Sequence, residues 1–255
     1  MAYEPKSARE YQDDGLAVDK PSTEGDGARA SAAPHGGAWR DESEIVRRER
    51  RPGLGTGFGE STYSPVREVR FRRAAEPIAV TTLHYNDREG IAAQSALHHE
   101  PARYETRVGI PRGAIVVRIE GEGDPFEILR SPARTYVVGR MGEKYTIAVT
   151  NTTDERFEVV GSVDGLDVVS GKPASFDNRG YLMEPWATVR IDGFRTSDDR
   201  VAAFRFEATD HSYAERVGKG RNVGVIGLAF FREIDSSEAR RRETANPFPY
   251  SRSPD

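Results

Sequence analysis

The sequence predicts a mainly β protein. An antiparallel, jelly-roll-like β-sandwich is expected over residues 134–234, a smaller β or α+β segment over 53–133, and disordered tails over 1–52 and 235–255. Three observations carry that expectation. Short runs rich in Val, Ile, Thr, Tyr and Phe recur through 134–233, separated by turn residues at roughly 8–12-residue spacing, as sandwiches and jelly rolls require. Residues 222–233 then form an apolar run with no wet side. Val223, Val225, Ala229 and Phe231 project one way from an extended chain and Ile226, Leu228 and Phe230 the other, which predicts a central strand covered on both faces. Finally, 31% of the residues are charged and only 36% hydrophobic, a balance that puts the core in part of the chain and polar segments around it.

Taken in order, residues 1–52 are rich in Gly, Ala, Ser, Pro and charge and lack a sustained apolar period, so burial cannot offset the entropy of ordering them. One short helical turn is allowed at 41–50, where acids precede bases. Gly53-Leu-Gly-Thr-Gly-Phe-Gly-Glu60 has the glycine spacing of a phosphate loop. A polar tail precedes it, however, and no Lys-Ser or Lys-Thr closes it, so a flexible hinge anchored by Phe58 is expected. Val69 and Phe71 share one strand face, and 78–85 is a second strand. Asn86 and Asp87 offer an N-cap to a helix running to about residue 99, weakened by Gly90. Further strands are expected at 103–108 and 114–120.

In the second half Tyr145, Ile147 and Val149 alternate with Thr146, Ala148 and Thr150, the period of a strand packed on one face. Phe157, Val159, Gly161 and Val163 continue that face. Asp164-Gly165 is the dipeptide of a type I′ turn, which predicts a hairpin into 166–169. Strands at 181–186, 188–195 and 201–208 and a short helix at 210–217 lead to the last apolar run. Beyond it Phe248 and Tyr250 stand isolated among prolines.

Composition excludes several classes of function. A net charge of −4 gives no global attraction to nucleic acid, and the absence of cysteine removes disulfides, thiolate metal sites and a cysteine nucleophile. The first residues lack the apolar stretch of a secretory signal and no run approaches the roughly 18 apolar residues of a membrane span, so a cytoplasmic location is the default expectation. No cofactor and no nucleic-acid partner are expected.

Candidate chemistry is thin. His98-His99 with Glu100 lacks the i,i+4 spacing of helical zinc sites. His84 falls into alternation with Ile78 and Val80 and is expected to be a half-buried strand residue. Asp164, Asp167 and Asp177 lack the oxygen-donor spacing of a calcium loop, and the hairpin explains them better. Asp210, His211 and Ser212 form no nucleophile elbow, and their better use is to cap the helix at 210–217. Two candidate ligand-binding groups remain. Arg216, Lys219 and Arg221 make a basic loop suited to a phosphate or carboxylate, and Tyr181 and Trp186, with Phe176 and Phe194, could line a sugar-binding face.

Gly53-Leu-Gly-Thr, Tyr85-Asn-Asp, Ser162-Val-Asp-Gly-Leu-Asp-Val-Val-Ser-Gly171, Asn178-Arg-Gly-Tyr181, Ala202-Ala-Phe204, Asp210-His-Ser-Tyr-Ala214 and Asn222-Val-Gly-Val-Ile-Gly227 together resemble a family of bacterial β-rich proteins with no assigned function. The resemblance implies a bacterial origin and a recurring β module, and it brings no catalytic residue. The expectation is a non-catalytic binding or structural module for a protein or glycan partner, or a homo-oligomer. The alternatives are a hydrolase whose carboxylates converge only in the fold and an assembly subunit of a phage-like or cell-surface structure.

Overall fold

A computed structural model describes residues 1–5, 53–96, 103–110, 113–132 and 134–234. The chain there is mainly β, with seventeen strands in two sheets among the described residues. The strands are β1 (Ala2–Pro5), β2 (Leu54–Tyr63), β3 (Val66–Val69), β4 (Ala79–Asn86), β5 (Arg103–Glu105), β6 (Val108–Ile110), β7 (Ile115–Glu120), β8 (Ile128–Arg130) and β9 (Thr135–Val138). They continue with β10 (Lys144–Asn151), β11 (Phe157–Val163), β12 (Leu166–Asp167), β13 (Tyr181–Met183), β14 (Thr188–Ile191), β15 (Gly193–Arg195), β16 (Arg200–Ala208) and β17 (Val225–Arg232). Helix α1 spans Arg88–Ala96 and α2 Tyr213–Arg216.

The larger sheet runs β3-β1-β13-β11-β17-β4-β9-β8-β5, with β12 attached to β11. The smaller runs β15-β16-β10-β7-β6, with β14 beside β10 and β2 beside β16. Most pairings are antiparallel. Two are not: β1 lies parallel to β13, and β4 parallel to β9, the latter made possible by the long crossover through α1 and β5–β8.

Alternation along each strand builds one core. Ile115, Val117 and Ile119 of β7 and Ile147 and Val149 of β10 share a single apolar cluster with Leu83 of β4, Val159 of β11 and Ile226, Leu228 and Phe230 of β17. Each such side chain contributes roughly 1.5–3 kcal/mol by leaving water. β17 sits between β11 and β4, registered as Val159 opposite Phe230 and Leu228 opposite Thr81. Its other face carries Ala229 and Phe231, which form a separate small cluster with Val160.

Strands from 53–133 and from 134–234 alternate within both sheets. β2 pairs along β16, β7 with β10, and β4 lies between β17 and β9. The glycine run 53–60 is therefore a strand, not the hinge that its composition suggested. Its glycines allow close approach: a Cβ on Gly55 would lie 2.6 Å from that of Ser212, and one on Gly59 would lie 2.6 Å from the Ala203 carbonyl oxygen. The stretch 1–52, expected to lack order, also opens with a strand. Ala2–Pro5 pairs with both β3 and β13 and buries Ala2 against Phe71 and Leu182. Four residues are too few to show a period in sequence, and the edges that they satisfy lie far along the chain.

Helix α1 begins after Asp87, whose carboxylate accepts from the Gly90 N–H at 2.6 Å. The expected extension of this helix to residue 99, and with it His98 and His99, lies outside the described residues, as do Phe248 and Tyr250.

Candidate functional site

On the face of the larger sheet that turns away from the main cluster, two covers leave a gap. Helix α1 covers one side through Ile91, which packs with Leu129 and Tyr136 beside His84. Burial first, then Arg134, lowers the pKa of His84. The segment 174–176 covers the other side. Beside that segment runs a groove of about 370 Å³. Val80 of β4, Gly227 and Ala229 of β17, and Val160 and Ser162 of β11 line its floor, and Ala174, Ser175 and Phe176 form its wall. The lining is predominantly apolar. Val80 and Phe176, both on its lining, are each 52% exposed, so the groove presents two large apolar side chains to solvent.

Long-range bonds fix the wall at both ends. At one end the Ala174 N–H donates to the Gly165 carbonyl at 2.9 Å. At the other, the Arg73 guanidinium donates to the carbonyls of Phe176 (2.6 Å) and Asn178 (2.9 Å) and pairs with Glu158 at 3.2 Å. The same guanidinium lies 4.4 Å from the centroid of the Phe231 ring, so it closes the apolar face of β17 next to the groove. Glu158 is itself buried, and its second oxygen accepts from the Gly180 N–H at 2.7 Å. A buried carboxylate with a guanidinium and an amide partner is satisfied, and it holds Arg73 in one place.

Behind the Gly165 end lies a buried polar cluster. Asp164 and Gly165 both have positive φ, +55° and +78°, as the type I′ turn requires. The turn drives the Asp164 carboxylate inwards until it is 1% exposed. One oxygen accepts from the Tyr85 hydroxyl (2.5 Å) and the Gly224 N–H (2.9 Å), the other from the Thr56 N–H (2.8 Å). The Thr56 hydroxyl is bonded to the hydroxyls of Tyr85 (2.7 Å) and Tyr145 (2.6 Å). Asp164 thus ties together β2, β4 and the segment that leads into β17, and the Thr56 hydroxyl adds β10. Among the described residues no cation is a partner of this carboxylate. Burial raises its pKa to about 6, only partly offset by the donors, and burial pushes both tyrosines well above 10, with the Asp164 charge adding to it. The carboxylate is buried from bulk solvent, and it holds the turn from which the groove wall hangs. Asp167, next in the hairpin, receives the Ser170 N–H (2.7 Å) and hydroxyl (2.6 Å), and burial raises its pKa too.

The residues singled out by sequence do not converge. Tyr181 is a core residue: it is 1% exposed, and its hydroxyl accepts from Arg195 at 3.0 and 3.1 Å, so it presents no face to a sugar. Phe194 is likewise in the core. Trp186 is 69% exposed, with φ +60°, on the turn between β13 and β14. Arg216, Lys219 and Arg221 are exposed on α2 and the turn after it. These two groups sit at opposite ends of β11, one beside the Met183–Phe157 pair and the other beside Gly165, where Asn222 packs. Of the four aromatics, only Phe176 lines the groove. Ser212 caps α2 by accepting from the Glu215 N–H at 3.2 Å, as its position suggested. Sequence reasoning missed Arg73, Glu158, Val80 and the Asp164 cluster. Only the Asp164-Gly165 dipeptide gave any local signal, and it gave the turn without the carboxylate's partners.

A larger cleft of about 570 Å³, beside Arg88, Phe126 and Arg140, has a more polar lining than the groove, and Arg88 pairs there with Glu127 and Arg140 with Glu143. Nearby, Lys144 and Arg205 both donate to Glu60 and hold its pKa down to about 2. Among the described residues no three His, Asp or Glu side chains are placed to hold a metal ion, and no helix is long and apolar enough to cross a membrane. Comparison of the chain with protein-family models, with curated proteins and with solved structures returned no match.

Proposed function

We propose that the chain is a non-catalytic protein-binding module: a two-sheet antiparallel sandwich whose outer groove takes apolar side chains from an extended segment of a partner protein. The observation that carries this reading is the pre-formed wall at 174–176. Its pinning by Gly165 and Arg73 holds an exposed Phe176 on the groove that the exposed Val80 also lines. A wall held by such bonds lowers the ordering cost of binding. Its volume is that of a small-ligand site, but it offers few polar atoms, so apolar side chains suit it better than a sugar. The segments 162–171 and 222–227, which carry the family resemblance, are those that Asp164 draws together, so we read the shared motifs as marks of the scaffold.

The test is selection from a random dodecapeptide display library. The full chain should enrich peptides with recurring aromatic or large aliphatic residues, and Phe176→Asp, at an exposed position, should lose them. Equal enrichment by both chains, or none by either, would remove the reading.

A further inference from the structure

Among the described residues, the sheet that bears the groove leaves part of one strand, β4, without a neighbour on one side. β9 pairs with β4 only from His84 to Asn86, because β9 begins at Thr135, after the turn at 131–134. Among the described residues the rest of β4 is therefore unpaired on that side. Its register with β17 decides which backbone groups are left free. The Tyr85 N–H donates to the Gly224 carbonyl at 2.9 Å, and Leu83 and Thr81 lie opposite Ile226 and Leu228. Odd-numbered backbone groups of β4 thus point to β17, and those of Val80 and Thr82 point the other way. Both residues are exposed, and neither meets a strand there among the described residues.

Three other edges carry features that discourage pairing. β3 has Arg67 and Glu68 in ion pairs with Glu4 and Arg179, and β5 has Glu105 paired with Arg130. β2 has Glu60 and a bulge opposite β16 between Ala202 and Phe204. The edge at Ile78-Ala-Val-Thr-Thr82 has no charge, and Ile78 is 38% exposed beside Val80.

We infer that this edge receives the partner's extended segment as an added strand, bonded to the backbone of Val80 and Thr82. The inference rests on the groove reading and supplies its binding mode. An added strand would lie about 4.8 Å from β4 and about 10 Å from β17, so a large side chain on its outer face leans over Val80 towards Ala229. The partner is thus an extended peptide, uncharged where it faces Val80 and Thr82, with an aromatic or long aliphatic residue at one outward position. Backbone bonds provide the affinity and the groove selects the side chain.

The probe is a peptide enriched by the selection described above, titrated into the full chain and followed by amide hydrogen exchange. Exchange at Val80 and Thr82 should slow by about tenfold or more in the complex. Val80→Pro removes one edge donor where proline is tolerated and should weaken binding by about tenfold or more, with the unfolding midpoint retained. If that variant does not fold, methylation of alternate peptide amides decides. Loss of binding for one alternating set supports strand addition, and indifference at every position overturns it. A peptide that perturbs Phe176 but leaves exchange at Val80 and Thr82 unchanged also overturns strand addition, while the groove reading survives. Slow exchange at both amides in the free chain overturns the partner. It marks a second copy if it is lost on dilution and a segment of the same chain if it is not. Failure to enrich any peptide removes both readings together.

Discussion

Asp164 should make this protein more stable as the solution is acidified below neutral. Its carboxyl has an ordinary pKa near 3.8 in the unfolded chain and one raised to about 6 in the fold. Between those values the folded state holds a proton that the unfolded state has released, so stability rises as pH falls through 6 and levels off below about 3.8. The full window is about two pKa units, or about 3 kcal/mol, and the step from pH 7.5 to pH 5 captures about 1 kcal/mol of it. Asp167 acts in the same direction, and His84, whose pKa is lowered, acts in the opposite one. The informative quantity is therefore the difference from Asp164→Asn. That variant keeps one acceptor oxygen but turns an amide towards the Thr56 N–H, which leaves a buried donor unpaired and costs about 1–3 kcal/mol at every pH. Urea midpoints of both chains at pH 5, 6 and 7.5 should show the wild type gaining on the variant towards low pH. A constant difference, or one that narrows on acidification, would refute the assignment of a buried, cation-free carboxylate.

Further outcomes follow from the same geometry. Gly165→Val should cost about 1–3 kcal/mol, because φ is +78° and a Cβ would meet the Asn222 side chain at 2.7 Å; an unchanged denaturation midpoint would contradict this. Arg73→Ala leaves Glu158 buried without its cation and uncovers Phe231, so a loss of about 3–5 kcal/mol is expected by chemical denaturation, whereas a loss under about 1 kcal/mol would show that the pair is solvated. Phe230→Ala and Phe231→Ala should each cost about 3–5 kcal/mol although they face opposite sides of β17, because both rings are fully buried; a small loss for Phe231→Ala alone would place its face in water.

The strands were legible wherever one residue type alternated with another within a single segment. Tyr145, Ile147 and Val149 announced β10, and the doubly apolar run at 222–233 announced a strand with neighbours on both sides. The Asp164-Gly165 turn and the Ser212 cap were equally local. What the sequence hid are relations between distant residues. Thr56 and Asp164 stand 108 positions apart, and Arg73 and Phe176 103 apart. Nothing near Asp164 distinguishes a turn aspartate in water from one driven into the core. The glycines of 53–60 misled for the same reason: their use is to let β2 approach Ser212 and Ala203, which only the fold brings near. The groove was invisible because its floor mixes Gly227, Ala229 and Ser162 from strands that become neighbours only in the sheet. The exposed Trp186 and the basic loop drew notice through residue type, yet they lie at opposite ends of β11.

The most direct measurement is a map of backbone amide shifts in the full chain as a library-selected peptide is added. The expected result is that the largest changes fall on Val80, Ser162, Phe176, Gly227 and Ala229, and that Phe176→Asp abolishes them. Changes confined to Trp186, or to Arg216, Lys219 and Arg221, would contradict the placement of the site in the groove.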